Sequence, residues 1–345
     1  MSHRALALLG AAVALTVAPL RIIAQTPARA TKPKIASNGA QAATAWVAPR
    51  MADGKPDLQG SWSNASLTPF ERPKELAGKE FFSQQEAAAF TRTALDESNR
   101  DRRGATPEAD VNGAYNEAWF ERGTKLGANL RTSIVVDPVD GRVPALTPEA
   151  RQAAVARAAV QQRPPEGPED FALPVRCLVW PTSGPPMVPG PYNNNYQIVQ
   201  THDYIAIDVE MIHDARIIPL DGRPHLSSAI RRWMGDSVGH WEGDTLVVDT
   251  TNFTDKTHFR GSDRNLHVIE SFKRTGPDSL QYRFTIEDPT AFVRPWTGEM
   301  IMSRAPGPLY EYACHEANYS LANMLSAARA EEKAVATEGS RKPSK

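Results

Sequence analysis

Two runs decide the fold: Leu266-His267-Val268-Ile269-Glu270-Ser271-Phe272-Lys273-Arg274 and Ser279-Leu280-Gln281-Tyr282-Arg283-Phe284-Thr285-Ile286-Glu287, joined through Gly276-Pro277-Asp278. Each run alternates. Leu266, Val268 and Phe272 fall on one face of the first, and Leu280, Tyr282, Phe284 and Ile286 on one face of the second. Alternation with period two marks a strand with one buried face. The Gly-Pro-Asp junction turns the chain back, so the pair reads as an antiparallel hairpin.

The same signal spreads outward. Residues 238–241 and 245–250 flank Glu242-Gly243-Asp244, a second hairpin. Residues 196–201, 204–212 and 215–220 read as successive strands, turned at His202-Asp203. Residues 300–303 and 309–314 read as a last pair, and residues 131–136 as an isolated strand turned by Asp140-Gly141. Short strands at this spacing predict a mainly β fold, an antiparallel meander closed as a barrel or stacked as a sandwich.

Helices are expected in the N-terminal third and at the C-terminus. Ser83 and Glu86 form a capping box ahead of residues 87–100. Thr147-Pro148-Glu149 supplies an N-cap, an N1 proline and an acidic first turn ahead of residues 150–162. Both helices are Ala- and Arg-rich and only weakly amphipathic, which places them on the surface. Residues 317–330 read as a final helix, and the charged residues 331–345 as a disordered tail.

The N-terminus reads as an export signal. Residues 1–4 are short and basic, and residues 5–20 are a run of small and apolar residues. That run is short for a membrane span and suits a signal peptide over residues 1–24, with cleavage after Ala24 or as late as Ala30. The polar, Ala-rich stretch to residue 50 reads as a linker, and residues 51–330 as one domain. A periplasmic or secreted protein follows, with no membrane span after processing. The two cysteines, Cys177 and Cys314, are then most simply a disulfide.

Composition narrows the function. The chain has 345 residues and 41% hydrophobic residues, enough for a sizeable core. Its net charge of −1 argues against nucleic acid as a partner. There is no Gly-x-Ser-x-Gly, no phosphate-binding P-loop and no dinucleotide glycine fingerprint, so serine-hydrolase and nucleotide chemistry are disfavoured and no cofactor is expected.

A resemblance adds to this. Gly60-Ser61-Trp62 ahead of a β-meander resembles the opening of lipocalin-type barrels. Residues 176–329 resemble a group of uncharacterised exported bacterial proteins. The pieces that carry this are Pro191-Tyr192-Asn193-Asn194-Asn195-Tyr196, Glu210-Met211-Ile212-His213-Asp214-Ala215-Arg216, Trp241-Glu242-Gly243-Asp244-Thr245 and Tyr310-Glu311-Tyr312-Ala313-Cys314-His315-Glu316. The resemblance implies a lipocalin-like barrel and bacterial export, and no activity.

Strand parity nominates a site. Extending residues 204–212 by one places Ile205, Ile207, Val209, Met211 and His213 on one face. Glu270 sits in the apolar row of its strand and Tyr282 in the next, so the interior is expected to hold His213, Glu270 and Tyr282 among apolar neighbours. A desolvated carboxylate and an imidazole in one cavity suit acid–base chemistry. The expected catalytic set is His213 as proton relay, Glu270 as acid or orienter, Arg216 as charge stabiliser, and Asp214 beside them. The expected substrate contacts are Tyr192, Asn194, Tyr282, Arg294, His315 and Glu316. The bland alternative is a core ion pair of Glu270 with an arginine or with His213, and of Arg216 with Glu210. Seven of the eight histidines lie between His202 and His315, yet none has zinc-type spacing, so no metal is assigned.

The leading expectation is therefore a cofactor-independent lyase, isomerase or hydrolase acting on a small, partly apolar molecule in a barrel cavity. The alternative is a non-catalytic carrier of such a molecule. A third reading, an envelope interaction protein working through its Pro-rich loops, expects a filled barrel. Oligomeric state is open.

Overall fold

The two deciding runs form β8 (His267–Gly276) and β9 (Ser279–Glu287), paired antiparallel as expected, with Phe272 opposite Tyr282. The computed structural model describes residues 46–113 and 116–341. The expected signal peptide and most of the linker lie outside these residues. From Trp46 onward the chain forms one unit.

The other strands are β1 (Gly60–Ser63), β2 (Val135–Asp137), β3 (Asn195–Gln200), β4 (Tyr204–Val209), β5 (Ala215–Pro219), β6 (Asp236–Glu242), β7 (Thr245–Thr251) and β10 (Trp296–Arg304). They build one antiparallel sheet in the order β5-β4-β3-β1-β10-β9-β8-β7-β6, with β2 also on β10. The end strands β5 and β6 approach each other without a hydrogen-bonded ladder, so the barrel is nearly closed. At this seam Gly239 leaves room for the side chains of Ile218 and Leu220, since a Cβ there would sit 2.9 Å from each.

The inward rows are the predicted ones. Val268, Glu270 and Phe272 of β8 and Leu280, Tyr282, Phe284 and Ile286 of β9 are wholly buried, with Ile205, Ile207, Val248, Trp62 and Met302 around them. Side chains fill the interior. Burying each large apolar side chain contributes about 1.5–3 kcal/mol, so this row dominates the fold's stability.

Trp62 closes one end of the barrel. Its Nε1 donates to the Leu58 carbonyl at 2.9 Å, and the guanidiniums of Arg304 and Arg274 lie 4.2 and 5.0 Å from its ring centre. Gly60 has a φ of 122°, and a Cβ there would fall on the Arg304 guanidinium. The Gly-x-Trp spacing thus lets an arginine cap the tryptophan.

The helices are α1 (Gln84–Ser98), α2 (Pro107–Gly113), α3 (Pro148–Gln161) and α4 (Ser320–Arg341). The Ser83–Glu86 capping box and the Thr147 cap both form. The only buried side chain is Ala87 in α1 and Ala150 in α3, as weak amphipathicity requires. Cys177 and Cys314 are bonded across a sequence separation of 137.

Several expectations are corrected. β4 ends at Val209, and Met211–His213 is a 3-10 turn with Ile212 at a φ of 65°. Period two stops there, and consecutive Met211 and Ile212 are both buried. The parity argument for His213 therefore does not carry past Val209. Residues 309–314 form no strand; β10 is instead longer than expected and pairs with β9, β1 and β2. The isolated strand begins later than expected and spans Val135–Asp137, because the Thr132 and Ile134 amides donate to the Glu80 and Pro69 carbonyls of loops; Pro138 ends it. α4 runs on through residues expected to be disordered, reaching Arg341.

Candidate functional site

Strand β8 buries Glu270 and β5 buries Arg216, and the two meet inside the barrel. Arg216 forks onto the carboxylate, with Nη1 3.0 Å from Oε1 and Nη2 on Oε2. The Tyr282 hydroxyl, from β9, donates to Oε1 at 2.8 Å and accepts the Met187 amide at 2.9 Å. Arg216 Nη2 also reaches Ser237 Oγ of β6 at 3.3 Å, and Ser237 bonds Thr250 of β7 at 2.9 Å. The cluster thus ties β5 to β6 across the seam and anchors the buried Met187 segment to the barrel wall.

Electrostatics keep the Tyr282 phenol and the Arg216 guanidinium protonated. Burial, and then the Glu270 charge, push the Tyr282 phenol well above its ordinary range, so it is a donor. Burial opposes the Arg216 charge, but Glu270 outweighs it and the net shift is upward. Tyr196 nearby is likewise raised by burial. An acid–base role for Glu270 would first require breaking both bonds of the Arg216 fork.

Of the other sequence-nominated residues, Asp214 lies with Arg216 on the wall of a pocket of about 200 Å³ at the β5–β6 seam, beside Trp233 and Ser237. The His213 side chain lies outside what is described. Glu210 does not pair with Arg216; it accepts from Asn195 Nδ2 at 2.7 Å and from the Tyr310 amide at 3.0 Å. Asn194 is buried and stitches Gly190 to the Glu121 carbonyl. Tyr192 packs between Trp180 and Tyr312. Arg294 is exposed and pairs with Asp137 at 2.9 Å. The His315 carbonyl accepts from the Asn318 amide ahead of α4, with Glu316 exposed beside it. The structure does not bring Asn194, Tyr192, Arg294, His315 or Glu316 together with Glu270.

A larger cavity lies at the end of the barrel where β8 begins and β7 ends. It holds about 470 Å³, inside the range of small-molecule sites. Its apolar wall is Phe171, Leu173, Val179, Trp180, Trp233 and Phe259, joined by Val160 and Gln161 of α3. Arg157, Arg176, Lys256 and His258 supply polar groups, opposite Glu169, Asp170 and Asp255. Sequence reasoning did not assemble this cavity. The signal was the paired aromatic residues in Pro-rich connections, and loop convergence is not readable from spacing.

Two histidines join a row of carboxylates on the outer face at this same end. His225 contacts Asp249 at 2.9 Å and Asp236 at 3.2 Å; His267 contacts Asp249 at 3.0 Å and Glu287 at 3.2 Å. Among the described residues no group of three or more histidine, cysteine or acidic residues is arranged to hold a metal. The bond to Asp249 raises the His267 value above its ordinary one, against burial and with help from Glu287. That contribution is complete below the ordinary imidazole value of about 6.5 and is lost as pH rises through the raised one. The expected result is a loss of about 1 kcal/mol or less between pH 6 and 9. Urea unfolding at the two pH values checks it: the loss should shrink in His267→Gln.

No protein-family model matches the chain. No curated protein matches it either. One solved structure that matches is a point mutant of the fluorescent protein UnaG, at 15% identity over 33% of this chain and 72% of that one. Its TM-score of 0.22 is too low to carry an argument.

Proposed function

We propose that the protein is an exported small-molecule binder, taking a partly apolar ligand in the cavity at the barrel end. The observation that supports this is the cavity itself: about 470 Å³ walled by two tryptophans, two phenylalanines and aliphatic side chains. Apolar lining with a few convergent polar groups is the ordinary form of a ligand site. The ligand sits above the packed interior rather than inside it. Export is supported by the basic and apolar opening of the sequence and by a disulfide, a bond favoured in oxidising compartments. No helix among the described residues is long and apolar enough to cross a membrane.

The acid–base reading is the lesser one. Its support is the buried Tyr282–Glu270–Arg216 cluster, and both oxygens of that carboxylate are already engaged. The filled interior fits the interaction-protein reading, but that reading leaves the cavity unexplained.

Ala172 is an exposed cavity residue, so Ala172→Trp fills the space without touching the barrel core. The uncharged fluorescent probe N-phenyl-1-naphthylamine should bind the wild type and lose about tenfold or more in affinity with this variant, at unchanged melting temperature. Equal affinity in the two proteins, or no binding by the wild type, overturns the reading.

A further inference from the structure

A second chamber adjoins the cavity. It holds about 310 Å³ and is lined by Arg231, Trp233, Thr254, Asp255, Lys256 and Arg264. Trp233, Asp255 and Lys256 belong to both walls, so the chambers are neighbours with the indole at their boundary.

Their charge differs. In the large chamber Arg157, Arg176 and Lys256 are matched by Glu169, Asp170 and Asp255. Arg176 lies 3.7 Å from Glu169, and Arg157 lies 3.7 Å from Asp263 outside the wall. In the small chamber three cations face one carboxylate. The Arg231 guanidinium is fixed by backbone carbonyls, donating to Ser228 at 2.9 Å, Phe253 at 3.3 Å and Arg264 at 2.5 Å. Carbonyls orient a cation without cancelling its charge. Among the described residues no side chain pairs with the head groups of Lys256 or Arg264; the contacts of these two residues run through their backbone, whose amides donate to Thr254 and Asp263. An apolar chamber therefore opens beside a chamber with uncompensated positive charge.

We propose that the ligand is an amphipathic anion, with its apolar body against Trp180, Phe171 and Trp233 and its carboxylate, sulfonate or phosphate group against Lys256 and Arg264. This rests on the reading of the large cavity as the ligand site. Oxyanions favour such cations because charge-assisted hydrogen bonds are the stronger kind, and the balanced charge of the large chamber gives the anion no comparable place.

Two probes with one aromatic body test it: 1-anilinonaphthalene-8-sulfonate and uncharged N-phenyl-1-naphthylamine. Dissociation constants are measured on the wild type and on Lys256→Gln/Arg264→Gln, at low and high salt. Ala172→Trp serves as the blocked control for both probes. The expected result is about a tenfold preference for the sulfonate at low ionic strength, shrinking with salt. The double variant should abolish that preference by weakening the sulfonate far more than the neutral probe. Equal binding of the two probes by the wild type, or a preference that survives the double variant, overturns the anion proposal and leaves the cavity reading standing. Failure of both probes to bind, or binding indifferent to Ala172→Trp, overturns the cavity reading and the proposal with it.

Discussion

Glu270→Gln is expected to destabilise the protein by about 3–5 kcal/mol, because it leaves the Arg216 cation buried without its counter-charge. Both side chains are almost completely enclosed, at 3% exposure for Arg216 and 0% for Glu270. Among the described residues the Arg216 Nε already has no acceptor. The tether between β5 and β6 weakens at the same time, since Arg216 then reaches across the seam through its Ser237 contact without the carboxylate to hold it in place. Removing both charges is a different experiment. Arg216→Met/Glu270→Leu fills a similar volume with apolar atoms and should recover most of the loss, since a buried ion pair gains little over a well-packed apolar one. Urea unfolding of the wild type, the single variant and the double variant checks this. A single-variant cost below about 1 kcal/mol would mean that the pair is solvated and the seam open.

Cys177→Ser/Cys314→Ser is expected to cost up to about 5 kcal/mol, the chain-entropy value for a loop closed across a separation of 137 residues. The bond anchors the segment after β10 to residues 173–178, where Asn318 also reaches the Val175 carbonyl at 3.3 Å. α4 adds Arg329, which donates to the carbonyls of Pro165 and Glu166 at 2.6 and 3.0 Å. Denaturation of the oxidised wild type against the double serine variant measures the effect. If the global midpoint stays and only α4 frays, the bond secures the C-terminal segment locally and leaves the barrel's unfolded ensemble unrestricted.

The barrel was legible because alternation is a local property. In β8 and β9 one row alternates inward, with Glu270 among Leu266, Val268 and Phe272 and Tyr282 among Leu280, Phe284 and Ile286, so the burial of both followed from sequence. The pairing of Glu270 with Arg216 was legible only as one of several options. The two residues are 54 positions apart, on strands separated in the sheet by five others and facing each other only because it curls. His213 shows where the method fails. The rule of alternation ended at Val209, and nothing in Glu210-Met211-Ile212 signals a helical turn there. Residues 309–314 fail in the other direction: they alternate, but β9, β1 and β2 already occupy the edges of β10, so no partner remains. The cavity at the barrel end was hidden because its walls come from α3, a Pro-rich connection and two loops, whose approach depends on the finished barrel.

The disulfide also decides how the molecule responds to force. Tension applied at the two ends of the chain enters before Cys177, crosses the sulfur bridge to Cys314 and leaves through α4. Strands β3 to β10 all lie inside that bypass. They feel no pull along their backbone while the bridge is intact, and among the described elements those drawn out are β1, β2, the helices ahead of Cys177, and α4. Reduction places the whole barrel in series with the ends, so the redox state of one bond sets how much of this protein a motor or a pore could unravel.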